Sequence, residues 1–324
     1  MTRLSLFILF LGAMAQMASR WSHDKLEAAR KFSLQIESGA VVILHKGEVV
    51  DQWGIPSRPF NVASIRKSLL SSLIGIAVGE AKLNLDTTLQ DLGIDDKTPA
   101  LTDSEKKAKV RDLLTSQSGV YHPAAYETES NRNRRPARES HPPGTFFYYN
   151  NWDFNVLGVI YEKAMGENLF EAFDRRIARP LGFQDYHVEN MESRKEDVSD
   201  YPAYIFRVSA RDLAKFGQMY LQNGVWQGKR IVPEAWIKES TAAHVMNAGT
   251  QGNYGYLWWR SENTVLAQGN GGQVVAIDPD SQTVIVHLTD MESPLMRRIR
   301  ERPVSDIDGF RLLQMIFRAY EPVR

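Results

Sequence analysis

The 324-residue chain contains no cysteine. This absence excludes a thiol nucleophile, a cysteine-ligated metal site and structural disulfides, and it also excludes a lipoprotein anchor, which requires a cysteine at the cleavage point. The chain also has no excess charge of either sign, since it contains 39 lysines and arginines and 39 aspartates and glutamates. A neutral chain gives no electrostatic reason to expect nucleic acid or an anionic membrane as the main partner.

The sequence also lacks the spacings of several common catalytic sites. Its seven histidines form no His-x-x-x-His pair of the kind that binds zinc, so we expect no metal and no cofactor. There is no Gly-x-Ser-x-Gly segment, which argues against an α/β-hydrolase triad, and no glycine-rich phosphate loop stands out. His122 and His141 are interpreted as loop residues.

One stretch at the N-terminus is typical of a secretory signal peptide. Arg3 precedes the apolar residues 4–11, and Ala13-Met14-Ala15 provides a small-x-small cleavage site. The apolar run is well short of the roughly 20 residues that span a bilayer, although an uncleaved anchor or a buried first helix would have a similar composition. We predict that residues 1–19 are a signal peptide and that the mature protein is periplasmic or secreted, without a membrane anchor.

Strand-forming residues lie near both ends of the chain. Residues 40–53 hold two β-rich runs around Lys46-Gly47, a hairpin signal, and residues 254–259, 273–277 and 283–288 are also typical of strands. The middle is typical of helices and loops. This pattern predicts an α/β fold in which one antiparallel sheet, built from both ends and flanked by helices, receives an inserted helical region. We place the α/β domain at residues 20–80 plus 250–324 and the helical domain at 81–249.

One Ser-x-x-Lys spacing is a candidate for catalysis. Acyl transfer without cysteine or metal requires an activated hydroxyl, and Ser64-Ile-Arg-Lys67 would place serine and lysine on one face of a helix. A lysine in an apolar pocket loses proton affinity and can serve as a base, although a helix lysine can also simply extend to solvent. The spacing recurs at Ser22 and Ser104. Only Ser64 follows a β-rich region and opens a long apolar helix, so it is the candidate nucleophile.

A second candidate group lies where a loop passes into a helix. Tyr149 and Asn151 are two positions apart, so on an extended loop they would point the same way. A phenol here can relay a proton, and an amide can orient a substrate carbonyl or Lys67. A core tyrosine and a helix-capping asparagine fit the same pattern equally well.

A third group is the segment Gln268-Gly-Asn-Gly-Gly-Gln273, beside a predicted strand. Glycine permits a ligand to approach the backbone closely. The N–H that follows, together with the N–H of Ser64, would form an oxyanion hole. An ordinary glycine-rich turn is the alternative interpretation.

Taken in this order, the groups resemble the motifs of the serine β-lactamase and penicillin-binding-protein superfamily. Ser64-Ile-Arg-Lys67 is similar to its Ser-x-x-Lys motif, and Tyr149-Asn150-Asn151 is similar to the Tyr-x-Asn of class C β-lactamases. Residues 113–119 and 209–217 resemble its Leu-Leu-Thr-x-x-Ser-Gly segment and a later helix. The resemblance is strongest to class C β-lactamases and related esterases and amide hydrolases, including the 6-aminohexanoate-dimer hydrolases.

This resemblance implies a two-part fold, α/β plus helical, with the site between the parts. Ser64 would form an acyl-enzyme, while Lys67 and Tyr149 would share the general base and acid work. Asn151 would position the substrate. The N–H groups of Ser64 and Gln273 would hold the oxyanion.

The chain departs from the family pattern at the third motif. Penicillin-recognising members usually carry Lys-Thr-Gly and many relatives carry His-x-Gly, whereas this chain has Asn270-Gly271-Gly272. We assign Asn270, Gly272 and Gln273 to substrate binding, but the cation that would grip a substrate carboxylate is missing. A substitute would have to come from elsewhere, for example from an arginine of the loop at residues 132–138.

The leading hypothesis is an exported serine hydrolase that cleaves an ester or amide bond in a small molecule or short peptide. The second is a β-lactamase or a D-amino-acid peptidase related to penicillin-binding proteins. A third, of a different class, is a binding protein that keeps the fold without catalysis. Retention of Ser64, Lys67 and Tyr149 favours an enzyme.

Overall fold

The computed structural model describes residues 21–97, 99–249, 252–292 and 304–321. The predicted signal peptide, residues 1–19, lies outside these ranges. The helices described are α1 His23–Gln35, α2 Ile65–Gly79, α3 Val110–Leu114, α4 Glu129–Asn133, α5 Asn151–Met165, α6 Leu169–Phe173, α7 Ala210–Leu221, α8 Glu234–Ser240 and α9 Asp306–Phe317, with 3₁₀ turns at Glu105–Lys107 and Val188–Asn190 and a π turn at Asp174–Ala178. The strands described are β1 Ala40–His45, β2 Glu48–Gly54, β3 Pro59–Asn61, β4 Glu192–Arg194, β5 Ala203–Ile205, β6 Arg207–Ser209, β7 Val225–Trp226, β8 Lys229–Arg230, β9 Asn253–Tyr254, β10 Trp259–Ser261, β11 Thr264–Gly269, β12 Gln273–Asp278 and β13 Thr283–Leu288.

One antiparallel sheet joins the two ends of the chain. Within the described ranges, seven strands form it in the order β2-β1-β13-β12-β11-β10-β9. Strand β1 is the junction, since Val42 opposes Gln52 on one side and Val286 on the other. Every residue of β1 and β13 is buried. The predicted α/β architecture, with an antiparallel sheet made from both ends, is confirmed.

The alternation of side chains along β1 divides the core into two layers. Val42 and Leu44 belong to the layer that contains helices α2 and α7. Val41 and Ile43 belong to the opposite layer, which contains α1 and α9. Because both faces of the sheet are covered, its central strands are mostly apolar, which is why they were recognisable in the sequence.

The predicted strand at residues 254–259 is wrong as a single element. The structure has two short strands, β9 and β10, separated by a turn in which Leu257 has a φ of 65°. The carbonyl of Leu257 accepts a hydrogen bond from the Ser68 hydroxyl at 2.7 Å. A tertiary contact therefore supports this turn, and strand propensity is easily overridden by such contacts. Strand β11, which follows, was not predicted.

The predicted helical domain contains helices α3 to α8 and the short strands β4 to β8, which belong to two-stranded ladders. One ladder joins the two predicted domains, because β3 pairs with β6 and places Phe60 opposite Val208. Helix α7 packs on the sheet, with its Gly217 directly against Val284. The domain boundaries at residues 80 and 250 stay a prediction.

Helix α2, the central helix, is buried on nearly every side. From Ile65 to Ala77 each of its residues is buried, including polar Ser71 and Ser72, whose hydroxyls donate to backbone carbonyls. It contacts α5, α8 and the sheet strands β11 and β12. A helix surrounded in this way cannot shift or rotate without breaking the core, so it provides a rigid support for the residues at its N-terminus.

We predict that Gly75→Ala destabilises the protein by about 1–3 kcal/mol, the usual range for overpacking. A Cβ at position 75 would lie 2.2 Å from Cδ1 of the Trp236 indole, so the indole would have to move. Denaturant unfolding would measure the change. In a Trp236→Ala background the cost should largely disappear, because the space is then open. If Gly75→Ala instead raised the free energy of unfolding by about 1 kcal/mol, as alanine does in place of glycine at an exposed helix position, the prediction would be contradicted.

Candidate active site

Ser64 is held at the N-terminus of the central helix by an unusual backbone turn. Ala63 has a φ of 46°, a left-handed conformation that residues other than glycine rarely adopt and that often marks functional sites. The Asn61 side chain supports this turn, since its Oδ1 accepts a hydrogen bond from the Ala63 N–H at 3.0 Å. Ser64 is the N-cap residue and is half-buried, so the hydroxyl is at the positive end of the helix dipole.

The structure brings Ser64, Lys67 and Tyr149 together. Lys67 Nζ lies 2.8 Å from Ser64 Oγ and 2.9 Å from the Tyr149 hydroxyl. The amine also lies 4.4 Å from the ring centroids of Tyr149 and Phe154, and the Lys67 residue is only 2% exposed. Lys67 therefore contacts both hydroxyls from within an apolar wall and does not extend to solvent.

Burial has opposite effects on the two ionisable partners of Ser64. Desolvation, assisted by the charge of Arg66, holds the pKa of Lys67 well below its usual value. Desolvation raises the pKa of Tyr149 to about 12, against opposing effects from its hydrogen bond with Ser64 and from the charge of Arg66. Both shifts favour the uncharged forms, a neutral amine and a protonated phenol. The amine is then the group that is ready to accept a proton.

A cleft of about 880 Å³ opens above Ser64. Its walls come from both parts of the fold, with Tyr126 and Asn151 from the helical region and Trp259 from the sheet. The Tyr149 ring stacks on Trp259 at a centroid separation of 5.6 Å. A half-open cavity with apolar walls and a few convergent polar groups is the usual form of a small-molecule site.

Asn151 lines the cleft, but its local structure differs from the expected extended loop. It is the first residue of helix α5, and the neighbouring Asn150 is the N-cap, whose side chain accepts a hydrogen bond from the Trp152 N–H. The Asn151 Nδ2 donates to the carbonyl of Tyr126 at 2.6 Å. One donor of this amide therefore holds the Tyr126 segment in place instead of facing Lys67.

The glycine-rich segment is the turn between strands β11 and β12. Gly269 packs against the residues that precede Ser64, because a Cβ there would lie 2.7 Å from the Val62 carbonyl oxygen. Asn270, Gly272 and Gln273 all line the cleft. The Gln273 side chain donates to the Asn61 carbonyl at 3.0 Å. These contacts place the turn beside Ser64.

Among the arginines at residues 132–138, only Arg134 lines the cleft. Arg135 forms an ion pair with Glu127, and Arg138 forms one with Glu105. The Arg134 guanidinium contacts the Ser130 carbonyl and the Asn131 side chain.

Several cleft residues were missed by the sequence analysis, namely Asn61, Arg66, Tyr126 and Asp306. Arg66 stood inside the candidate motif but had no recognisable partner in the sequence. The others carry no local signal, because they reach the cleft only through the tertiary fold.

Over residues 21–97, 99–249, 252–292 and 304–321, no grouping of three or more metal-ligating side chains is found. In the same part of the chain, no helix has the length and hydrophobicity needed to cross a bilayer. The Tyr121 hydroxyl contacts His141 Nδ1 at 3.1 Å, and His122 lies near Asp96 and Glu105.

A sheet-based part, a helical part and a cleft between them with a serine, a lysine and a tyrosine in contact define a protein of the serine β-lactamase and penicillin-binding-protein superfamily. The chain belongs to the beta-lactamase family, whose model matches residues 23–306. The resemblance found in the sequence is therefore confirmed.

Two curated relatives carry hydrolase names. The chain is 23% identical over 295 residues to the 6-aminohexanoate-dimer hydrolase of Paenarthrobacter ureafaciens, covering 79% of this chain and 73% of the relative. It is 27% identical over 174 residues to the D-aminopeptidase of Brucella anthropi, covering 45% of this chain and 32% of the relative. Together with the family match, these relatives indicate that the protein is a hydrolase.

Solved structures share the fold. A penicillin-binding protein homologue from Caulobacter crescentus superposes with a TM-score of 0.67 at 17% identity, covering 92% of this chain and 98% of the other. A penicillin-binding protein from Bacillus halodurans superposes with a TM-score of 0.66 at 17% identity, covering 88% of this chain and 99% of the other.

We predict that Gly269→Ala damages the site more than the fold. The added methyl group would collide with the Val62 carbonyl oxygen and push strand β11 away from Ser64, at a cost of about 1–3 kcal/mol in stability. The rate of labelling by a serine-directed probe should fall at least about tenfold, because displacement of about 1 Å can cost far more than this. Thr264→Ala, at the other end of the same strand, is the control and should label normally. Equal labelling of the two variants would contradict the prediction.

Proposed function

We propose that the protein is a serine hydrolase that cleaves an ester or amide bond through an acyl-enzyme formed on Ser64. The observation that carries the proposal is the contact of the buried Lys67 amine with both Ser64 Oγ and the Tyr149 hydroxyl. A neutral amine at hydrogen-bond distance satisfies the geometric requirement for a general base. The neighbouring cleft supplies room for a substrate.

In the proposed acylation step, Ser64 Oγ attacks the substrate carbonyl carbon while its proton passes to the Lys67 amine. The carbonyl oxygen becomes an oxyanion, which the N–H groups of Ser64 and Gln273 would bind. The Tyr149 phenol donates its proton to the leaving amine or alcohol and regains one from protonated Lys67. Collapse of the tetrahedral intermediate expels the leaving group and leaves the acyl group on Ser64.

Deacylation repeats these roles. A water molecule attacks the acyl carbon while its proton passes to the neutral Lys67 amine. Ser64 Oγ leaves with the proton of the Tyr149 phenol, which regains one from protonated Lys67. No oxidant, metal or cofactor enters this balance. Asn151, whose Nδ2 holds the Tyr126 carbonyl, would support the substrate wall of the cleft. The class C relation rests on the Tyr149-Asn150-Asn151 sequence and stays part of the proposal.

The composition of the turn supports a linear ester or amide as substrate more than a β-lactam. Asn270-Gly271-Gly272 carries no cation for the carboxylate that penicillins present. The similarity to a 6-aminohexanoate-dimer hydrolase also supports a linear amide. The similarity to a D-aminopeptidase keeps a short peptide as the second candidate. Export to the periplasm or the medium remains a proposal that rests on the composition of residues 1–19.

We predict that Ser64→Ala abolishes covalent labelling by a fluorophosphonate probe and lowers turnover by several orders of magnitude, because the acyl acceptor is lost. Ser104→Ala is a matched control, since Ser104 begins a second Ser-x-x-Lys sequence and also stands at the N-cap position of a helical turn, Glu105–Lys107. Intact-mass spectrometry would count the adducts. Labelling that persists in Ser64→Ala would refute the nucleophile assignment, and a folded wild type that accepts no serine-directed probe would favour a binding protein.

We predict that short acyl nitrophenyl esters or linear amides are turned over with kcat/KM at least about tenfold above that for a chromogenic cephalosporin, because a missing charged contact is worth about 1.4 kcal/mol or more. A D-amino-acid peptide amide would complete the panel. The steady-state measurement uses the purified protein, with Ser64→Ala as the background control. A cephalosporin that is hydrolysed most efficiently would reverse the ranking of substrates.

A further inference from the structure

Arg66 is a buried cation beside the candidate catalytic lysine. It lies in the first turn of the central helix, between Ile65 and Lys67, and the residue is 1% exposed. Its guanidinium carbon lies 4.4 Å from the Tyr204 ring centroid and 5.8 Å from that of Tyr126. Contacts with aromatic faces are favourable for a guanidinium, but they do not neutralise its charge.

Within the described part of the chain, the Arg66 guanidinium has no anionic partner. Its Nε, Nη1 and Nη2 are all buried, and the side chains that contact the guanidinium are those of Tyr204 and Tyr126, not carboxylates. Arg138 provides a contrast, since it is paired with the carboxylate of Glu105. A buried charge without a partner is costly, so its retention in the fold calls for an explanation.

Arg66 and Lys67 are consecutive buried residues in the first turn of one helix. A positive charge on both side chains would be repulsive, because the local dielectric is below that of water. A guanidinium keeps its proton throughout the pH range of folded proteins, whereas a lysine amine loses its proton readily when it is buried. Lys67, 2% exposed, is therefore the partner that relieves the repulsion by becoming neutral. The neutral amine is the form that can accept the Ser64 proton.

The other ionisable groups around Lys67 do not offset this effect. The amine contacts Ser64 and Tyr149, and no carboxylate of a described residue lies within ion-pair distance of it. Asp153 of helix α5 is bonded to the Ser118 hydroxyl, and burial raises its pKa. Near Lys67 and Tyr149 also lie Tyr204 on strand β5, Tyr254 on β9 and Asp306 at the start of α9, which accepts a hydrogen bond from the Gly272 N–H. Two carboxylates that line the cleft have other partners, since Glu127 pairs with Arg135 and Glu196 accepts a hydrogen bond from the Tyr126 N–H.

We propose that Arg66 is a positioning residue whose fixed positive charge keeps the Lys67 amine unprotonated and thereby ready to activate Ser64. This inference rests on the proposed serine hydrolase function. The same charge acts on both proton carriers, because it lowers the pKa of Lys67 and opposes the rise in the pKa of Tyr149. The turn Asn270-Gly271-Gly272 carries no positive charge. Arg66 would thus supply the positive field at the site.

The test is the pH dependence of acylation by a neutral alkyl fluorophosphonate, which carries no carboxylate that Arg66 could bind. The second-order labelling rate should rise with pH to a plateau, with a midpoint set by Lys67, because only the neutral amine accepts the proton. In Arg66→Met the Lys67 pKa rises, so the midpoint should move up by about one pH unit or more, and labelling below the midpoint should slow by about tenfold. Arg66→Gln should behave in the same way.

Lys82→Gln is the matched control because it also removes one positive charge. Lys82 is exposed and follows the far end of the central helix, roughly 20 Å from Lys67 at 1.5 Å per residue, so its charge is screened. The pH midpoint of labelling for Lys82→Gln should equal that of the wild type. Circular dichroism and thermal unfolding would establish that each variant is folded.

Folded Arg66→Met and Arg66→Gln variants whose midpoints differ from the wild type by less than about 0.3 pH unit would overturn the inference. Loss of the folded state in both variants would also overturn it, since Arg66 would then serve the fold. If the wild type is labelled at Ser64 but the midpoint does not move, only the role of Arg66 fails. If the wild type is not labelled at all, the proposed function itself fails.

Discussion

The candidate site depends on the burial of one amine. Lys67 is removed from water and held between Ser64 Oγ and the Tyr149 hydroxyl at 2.8 and 2.9 Å. In water a lysine would be protonated and useless as a base near neutral pH, whereas desolvation favours its neutral form. This requires a helix that is surrounded on all sides, because a lysine on an exposed helix would extend its amine to solvent. The apolar residues of the central helix therefore matter to the chemistry as well as to stability.

The fold brings three distant segments to this amine. The central helix carries Ser64 and Lys67, helix α5 begins just after Tyr149, and the turn between β11 and β12 closes the other side of the cleft. The turn reaches Ser64 only because Gly269 has no side chain, so that it fits against the Val62 carbonyl. An oxyanion hole requires two backbone segments close together, because the N–H donors of both must point at one oxygen atom. A glycine at such a contact thus allows the two backbone segments to approach each other.

Membership of the beta-lactamase family establishes the fold and, with the named relatives, indicates a hydrolase, but a shared fold does not decide the substrate. The substrate depends on the charges that line the cleft. The turn Asn270-Gly271-Gly272 is uncharged, and Arg135 and Arg138 are committed to ion pairs elsewhere. Arg134 lines the cleft, where its guanidinium contacts the Ser130 carbonyl and the Asn131 side chain. Arg66 is a cation buried beside Lys67, and all three of its guanidinium nitrogens are covered. Its influence on the site is therefore electrostatic, through Lys67 and Tyr149, and not a direct grip on a ligand.

The linear sequence was sufficient for features that depend on short-range spacing. The apolar period of the central helix, the hairpin at Lys46-Gly47 and the three-residue offset of Ser64 and Lys67 are all local, so hydrophobic pattern and motif order predicted them. The split of residues 254–259 into two strands, the helical position of Asn151 and the fit of Gly269 against Val62 were decided only by the tertiary structure. So was the isolation of Arg66, because whether a buried charge has a partner depends on which distant side chains pack around it. Local propensities are properties of neighbouring residues, whereas burial, close approach and charge pairing are properties of the folded whole.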